Sequence, residues 1–349
     1  MLQLKNHTPF EAAISLFPDE NAIDTLYVVV KATFTLEQNP QLSEEQIPPV
    51  LEDVYWGDPV ESSLKYASEM HIGKPGTDII VNGHAYAPRG VPVAQLDCGI
   101  KVGNYSKQLR VFGDRYWHGT KITAPEPFVK MPLLYENAYG GAYWEFIDNK
   151  QGGYYKNKIL HTINPVGRGY RGGQGTEPIN ADKLPNLEDP RQLIKLPGDK
   201  SPPAAFAMLS PTWKPRVNYV GTYDEAWQKK QAPYLPKDFN SKFFNMASQG
   251  LVANGFLQGN EPVLLVNLTP ESHVKFQIPM CDVKVDIKIE GSSEKPLLNL
   301  ETLFFEPDEN QFMLTWRAKL NCDKKALKIS EVHITSGFDK IEKTEEAAA

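Results

Sequence analysis

The chain has 349 residues, of which 41% are hydrophobic and 23% charged. This balance excludes a wholly disordered polymer and asks for one large domain or two coupled ones. A formal net charge of -6 argues against a nucleic-acid binder, and no apolar run approaches the length of a membrane-spanning helix.

The opening stretch, MLQLKNHTPFEAAISLF, lacks a basic segment followed by a long apolar core, so it is not read as a secretory signal, and a cytoplasmic location is expected. Residues 1–60 hold ten acids against Lys5 and Lys31, while the middle from Lys101 to Arg171 is basic; differently solvated faces are the plain reading. The first clear element is 25–36, TLYVVVKATFTL. Leu26, Val28, Val30, Ala32, Phe34 and Leu36 share one face, with Lys31, Thr33 and Thr35 opposite. That period of two predicts a half-buried strand. Residues 38–58 follow as an acidic connection interrupted by proline.

Residues 78–86 make a second strand, closed by Pro88 and Gly90. In 95–102, Leu96, Cys98, Ile100 and Val102 point inward; Gly103 and Asn104 then turn the chain into 107–112, a predicted hairpin. From about 125 to 259 the periodicity fades into Pro, Gly and aromatic residues, the mark of long loops that carry function or stay irregular. Only 224–231 and 241–249 look helical there, with Thr222 or Asp224 as a cap. A strict pattern returns in 262–268, 273–278, 281–290, 298–306, 311–320 and 328–334, all predicted strands. The whole predicts a mainly β protein, an antiparallel sandwich or barrel-like architecture with long irregular loops and a few short helices. Residues 1–260 would form a β-rich region with the central loops, 261–338 an antiparallel meander packed on it, and 339–349 a fraying tail. Cys98, Cys281 and Cys322 are odd in number and far apart, and Cys98 and Cys281 sit in phase with apolar neighbours, as small core residues of a reducing compartment do.

Chemical motifs are few. Gly167, Gly169 and Gly172 match a dinucleotide fingerprint, but neither a strand precedes them nor a helix follows, so no cofactor is expected. The seven histidines show no metal-ligand spacing, and no nucleophile elbow occurs. Asp114, Glu136, Glu145 and Asp224 each lie beside an aromatic residue and could line a sugar cleft; the plainer role is bonding loop backbone and pairing with Arg115 and Arg216. The stretch 221–245 packs Tyr223, Trp227, Tyr234, Phe239, Phe243 and Phe244 among Lys, Asp and Pro, which suits a segment that clamps a core or presents a recognition surface.

An ordered string of short motifs adds a resemblance. It includes Asp78-Ile79-Ile80-Val81-Asn82-Gly83, Val111-Phe112-Gly113-Asp114-Arg115-Tyr116-Trp117, Glu136-Asn137-Ala138-Tyr139-Gly140-Gly141, Asn164-Pro165-Val166-Gly167, Gly221-Thr222-Tyr223-Asp224 with Trp227, and the late Thr315-Trp316-Arg317. Together these resemble the domain-of-unknown-function family 2169, over roughly residues 31–278. Pro203-Ala204-Ala205-Phe206 and Ser248-Gln249-Gly250 depart from the family pattern. The resemblance implies a non-enzymatic adaptor or chaperone, encoded beside type VI secretion genes, that binds a secreted effector or its PAAR-type domain and helps load the spike. The resemblance also offers the trimeric spike protein as a partner, and neither nucleic acid nor membrane is expected. Alternatives are a carbohydrate-active enzyme acting on cell-wall glycans and a structural piece of the spike. Partner-binding candidates are Arg115, Trp117, Tyr223, Trp227, Lys229, Lys230, Lys237 and Lys242; no catalytic residue is carried over.

Overall fold

A computed structural model describes residues 2–149, 153–171 and 179–338. Within them the chain is mainly β, with several mostly antiparallel sheets and a few short helices, as the sequence predicts. The tail, 339–349, and Gly172 of the glycine motif lie outside the described residues.

The central sheet runs in the order Glu11–Pro18, Asp24–Thr35, Gln311–Asn321, Asn299–Glu306, Asp78–Val81. Neighbours are antiparallel except the last pair, which is parallel. Asp24–Thr35 and Gln311–Asn321 pair along their whole length, from Thr35 opposite Gln311 to Thr25 opposite Asn321. A second five-stranded sheet runs Leu187–Glu188, Tyr105–Phe112, Gln95–Val102, Pro262–Val266, His273–Gln277. Its predicted hairpin turns at Gly103, whose φ of +55° belongs to the left-handed region that glycine enters freely. A third sheet joins Gln3–Asn6, Ile329–Thr335, Lys284–Ile289 and Ser292–Glu294. Strands after residue 261 thus pair with strands from the first third of the chain in all three sheets, so segments 1–260 and 261–338 share one core.

The two five-stranded sheets meet through aromatic residues. Phe276 lies 5.0 Å from Phe312 and 6.4 Å from Phe305, and Phe34 stacks on Phe312 at 5.6 Å. Each such ring, fully buried, contributes roughly 1.5–3 kcal/mol of transfer free energy. Phe338 closes the end of this core against Phe10 and Phe34.

The opposite face of the central sheet corrects the half-buried strand expected at 25–36. Lys31 and Thr33 are buried, because the connection after the strand folds back over them. Gln46 donates to the Thr33 carbonyl (2.9 Å) and accepts from its amide (2.9 Å), and Lys31 pairs with buried Glu69 at 3.0 Å. The ion pairs continue across the sheet. Thr315 Oγ1 donates to Glu69 (2.7 Å), Arg317 Nε to Glu301 (2.7 Å), and Lys74 Nζ to Asp78 (2.8 Å) and Thr302 (2.7 Å). Glu301 reaches this face because the register with the neighbouring strand shifts between Leu300 and Thr302, a bulge that re-aims one side chain.

The region where periodicity fades contains one hairpin that the sequence reading did not pick out, Ala142–Asn149 with Gly153–Leu160. Elsewhere the long loops dock on the free edge of Asp78–Val81. Ile79 N donates to Leu251 O (2.9 Å), Ala253 N to Thr77 O (2.8 Å) and Val81 N to Phe206 O (3.2 Å). Backbone groups that an edge strand would expose are thereby paired.

Candidate binding cleft

The docked loops enclose a cleft of about 680 Å³ at the sheet edge. Pro75, Pro202, Pro203, Pro215, Tyr135 and Tyr219 wall it with apolar surface. Its floor is fixed by Asp78, whose carboxylate accepts from Asn245 Nδ2 (3.1 Å), Met246 N (3.0 Å) and Ala247 N (3.3 Å) while pairing with Lys74. One buried carboxylate therefore ties the strand edge to the loop that lines the cleft. Gly76 permits the close approach: a Cβ there would stand 2.2 Å from the Ala253 carbonyl. Arg216 braces the other wall, donating from Nη1 to Leu209 O (2.6 Å) and from Nε to Phe243 O (2.8 Å). Trp213 meets Tyr135 edge to face at 5.4 Å beneath it.

Two features of the cleft point to a ligand. Among the described residues its lining holds Lys214 and Lys242, both exposed, and no Asp or Glu. Ser248 also lines it, is 2% exposed, and its buried Oγ makes no hydrogen bond. An unmated buried hydroxyl costs about 1–3 kcal/mol unless something else satisfies it.

The partner-binding candidates separate into two groups. Arg115 and Trp117 point inward. Arg115 donates to Glu188 and to Pro185 O (2.8 Å) and its guanidinium lies 3.6 Å from the Phe112 ring centre. Burial raises the Glu188 carboxyl and Arg115 opposes that rise. Trp117 packs with Tyr139, Leu184 and Ile194 in a small satellite core. These residues anchor 183–194 to the second sheet and leave no face free for a partner.

The other six lie on the surface. Asp224 caps the short helix Glu225–Lys230 by accepting from Trp227 N (2.8 Å), and Lys229 and Lys230 project from it. Tyr223 stands edge to face on Trp227 at 4.6 Å, and Trp227 Nε1 donates to Tyr234 O (2.8 Å). Asp238 then closes the loop by accepting from Thr222 N (3.0 Å) and Thr222 Oγ1 (2.7 Å). Lys237 is exposed beside it, and Asn240 N reaches back to Tyr219 O (3.0 Å), a residue of the cleft wall. Lys242 lines the cleft itself. The stretch 221–242 is thus a lysine-rich shoulder to the cleft. The predicted helix at 241–249 is only the 3₁₀ turn Ser241–Phe244, because Asp78 takes the following amides out of any helical ladder.

Of the carboxylates beside aromatic residues, Asp114 pairs with Lys183 (2.6 Å) and accepts from Asn186 (2.9 Å), not from Arg115. Glu136 accepts from Ser63 N (2.7 Å) and Ser63 Oγ (2.8 Å). Asp114 and Glu136 therefore bond donors of neighbouring segments, Asp224 caps the short helix, and Glu145 sits on the 142–160 hairpin. Arg168 and Gly169 of the glycine motif form a two-residue strand beside Tyr139 and Gly140. Among the described residues no helix is long and apolar enough to cross a membrane, and no cluster of three metal-ligating side chains occurs.

Neither the curated proteins nor the solved structures contain a match to this chain. One family model does match, over residues 21–317, from the outer hairpin of the central sheet to the buried Arg317. The chain therefore belongs to the family described as an uncharacterized protein conserved in bacteria, DUF2169.

Proposed function

We propose that this protein is a non-enzymatic adaptor that holds a type VI secretion effector, or its PAAR-type domain, before the spike is loaded. The reading rests on the family resemblance together with one observation, the apolar cleft whose charged lining, among the described residues, is Lys214 and Lys242. Such a cleft suits an extended partner segment that carries an apolar side chain and an adjacent carboxylate. Lys230 and Lys237, both exposed, extend the same charge preference beyond the cleft, while Lys229 beside them pairs with Glu225 at 3.1 Å. Both departures from the family pattern, at Pro203 and at Ser248-Gln249-Gly250, line this cleft, which is where an adaptor would be tuned to its own cargo.

The test is co-expression with the effector encoded beside it, followed by purification through a tag on either protein. Co-elution is expected, over an interface of about 1,600 Å² or more. The double substitution K214E/K242E should abolish co-elution and leave the melting temperature unchanged. Failure of the unmodified pair to co-elute, with effector levels unaffected by deleting the adaptor, overturns the proposal.

A further inference from the structure

A second cleft, of about 570 Å³, opens where the turn Pro307–Glu309 faces Asn82, and it shares no lining residue with the first. Its chemistry is opposite in sign. Glu306, Asp308 and Glu309 line it against Lys65. Asp308 is already compensated, by His84 Nδ1 at 2.5 Å, Tyr86 Oη at 2.6 Å and Lys130 Nζ at 3.4 Å. Glu306 is not. It is 6% exposed, and among the described residues its oxygens accept only neutral donors, Tyr66 Oη at 2.7 Å and Gln311 Nε2 at 2.9 Å. Burial first, and then Glu306 itself, hold the Tyr66 phenol above its ordinary range, so Tyr66 stays a neutral donor and does not cancel the charge. Lys65 lies over the rings of Trp56 (4.7 Å) and Tyr66 (5.1 Å) and forms no ion pair among the described residues.

A buried carboxylate without a cation is costly, because desolvation is not offset by an opposite charge. The same cleft holds a second unmet acceptor. Asn82 is 5% exposed, donates through Nδ2 to Lys65 O (2.7 Å), and its Oδ1 accepts nothing. Among the described residues Lys65, the lysine on its wall, bonds neither acceptor, so what the cleft lacks is a donor-rich cation that does. Its walls add Trp56, 42% exposed, and the apolar Ile47, Pro132 and Leu134.

We propose that this cleft binds the arginine side chain of a peptide, the guanidinium bonding Glu306 and Asn82 Oδ1 and the aliphatic stem lying on the apolar wall. A guanidinium offers five donors in a planar fork, enough to satisfy both acceptors at once, and it stacks on aromatic faces. An ammonium is a point donor with a stronger hold on water, so it would satisfy the two less well. Glu309, exposed at the mouth, draws the cation in.

The experiment titrates the full chain with Nα-acetyl-arginine amide and follows the Asn82 side-chain amide and the Trp56 indole by NMR. The neutral isostere Nα-acetyl-citrulline amide, Nα-acetyl-lysine amide and chitotetraose are run beside it. Saturable shifts with the arginine probe are expected, with binding at least about tenfold weaker for citrulline and weaker for lysine. Glu306→Gln keeps the volume and can keep both hydrogen bonds, so it should fold, melt no lower than the parent, and bind arginine about tenfold more weakly. Trp56→Ala, on the exposed rim, supplies a variant whose folding is not in question and should also weaken binding. The proposal is overturned if citrulline binds as tightly as arginine, if Glu306→Gln binds it unchanged, if no shift saturates, or if only chitotetraose moves these resonances.

Discussion

His71 meets hydrogen-bond donors on both sides of its ring. Arg317 Nη2 lies 3.2 Å from Nε2, and the Gly73 amide lies 3.1 Å from Nδ1. A neutral imidazole has one acceptor to give and an imidazolium has none. The ring is buried, stacked on Phe244 at 4.7 Å, with the Glu301 carboxylate 3.9 Å from Nε2. Burial first, and then the charges of Arg317, Lys74 and Arg216, hold its pKa well below 6.5.

This arrangement sets a pH dependence of stability. Below pH 6.5 the unfolded chain binds a proton at His71 that the native ring refuses. The folded state therefore loses stability as pH falls from 6.5 toward the depressed native value, by up to about 1.4 kcal/mol per pH unit, and gains nothing from this group above 6.5. His71→Gln can still accept from Gly73 and cannot titrate. Urea unfolding at pH 7.5 and 5.5 should show a smaller loss for the variant than for the parent. Equal losses would show that His71 is protonated in the fold.

Arg115 and Glu188 form a pair whose members are almost wholly buried, so removing one strands the other. Arg115→Ala should cost about 3–5 kcal/mol. Because both point inward, the folded fraction of the variant should bind the partner as the parent does. A stable variant that has lost only binding would return Arg115 to the interface.

Trp227 behaves in the opposite way. It is only half-buried, on a six-residue helix that stands out in solvent. Trp227→Ala forfeits one hydrogen bond to Tyr234 O and one edge-to-face contact with Tyr223, together about 1–3 kcal/mol. Calorimetry should find this modest loss, and pull-down of the partner from the co-expressed pair should fall more sharply. A loss of 4 kcal/mol or more, within the roughly 3–5 kcal/mol expected of a buried Trp, would mean the ring is a clamp of the core.

The strands read well from sequence because their signal is local. In Gln95–Val102 and Tyr105–Phe112 the alternation and Gly103 lie within 18 residues of one another. Gln3–Asn6 gave no such signal; four residues of mixed character become a strand only beside Ile329–Thr335. Lys31 misled for a related reason. Its charge faces out of the strand, but Glu69 and Gln46, supplied from elsewhere, turn that face into an interior. The cleft is less local still. Pro75, Tyr135, Lys214 and Ser248 meet only because Asp78 and the sheet edge gather the loops; in the sequence its lining showed only as Lys242, a contact candidate, and as the departures at Pro203 and Ser248-Gln249-Gly250, with nothing to say that they meet.

Gly76 tests that gathering directly. A Cβ at this position would stand 2.2 Å from Ala253 O and 3.0 Å from Gly255 O, backbone atoms that cannot move alone. Gly76→Ala should force the 251–257 loop off the edge strand and cost about 1–3 kcal/mol. Hydrogen exchange should quicken at Ala253, Ile79 and Leu257, whose amides make the docking bonds. Unchanged exchange at these three would mean the loop is held by its side chains.

Ser248 separates stability from binding. Its Oγ is buried and unmated in the free protein, so Ser248→Ala removes a polar group that nothing there satisfies. The free variant should be as stable as the parent, or more so by about 1 kcal/mol. If a partner segment in the cleft bonds this hydroxyl, losing that bond should weaken binding about threefold to tenfold. Most substitutions at buried positions lower both quantities together; this one should move them in opposite directions. Thermal unfolding and an equilibrium titration of the purified partner against parent and variant measure the two effects. A variant that is less stable and binds as before would place the hydroxyl in the core and leave the cleft without a polar anchor.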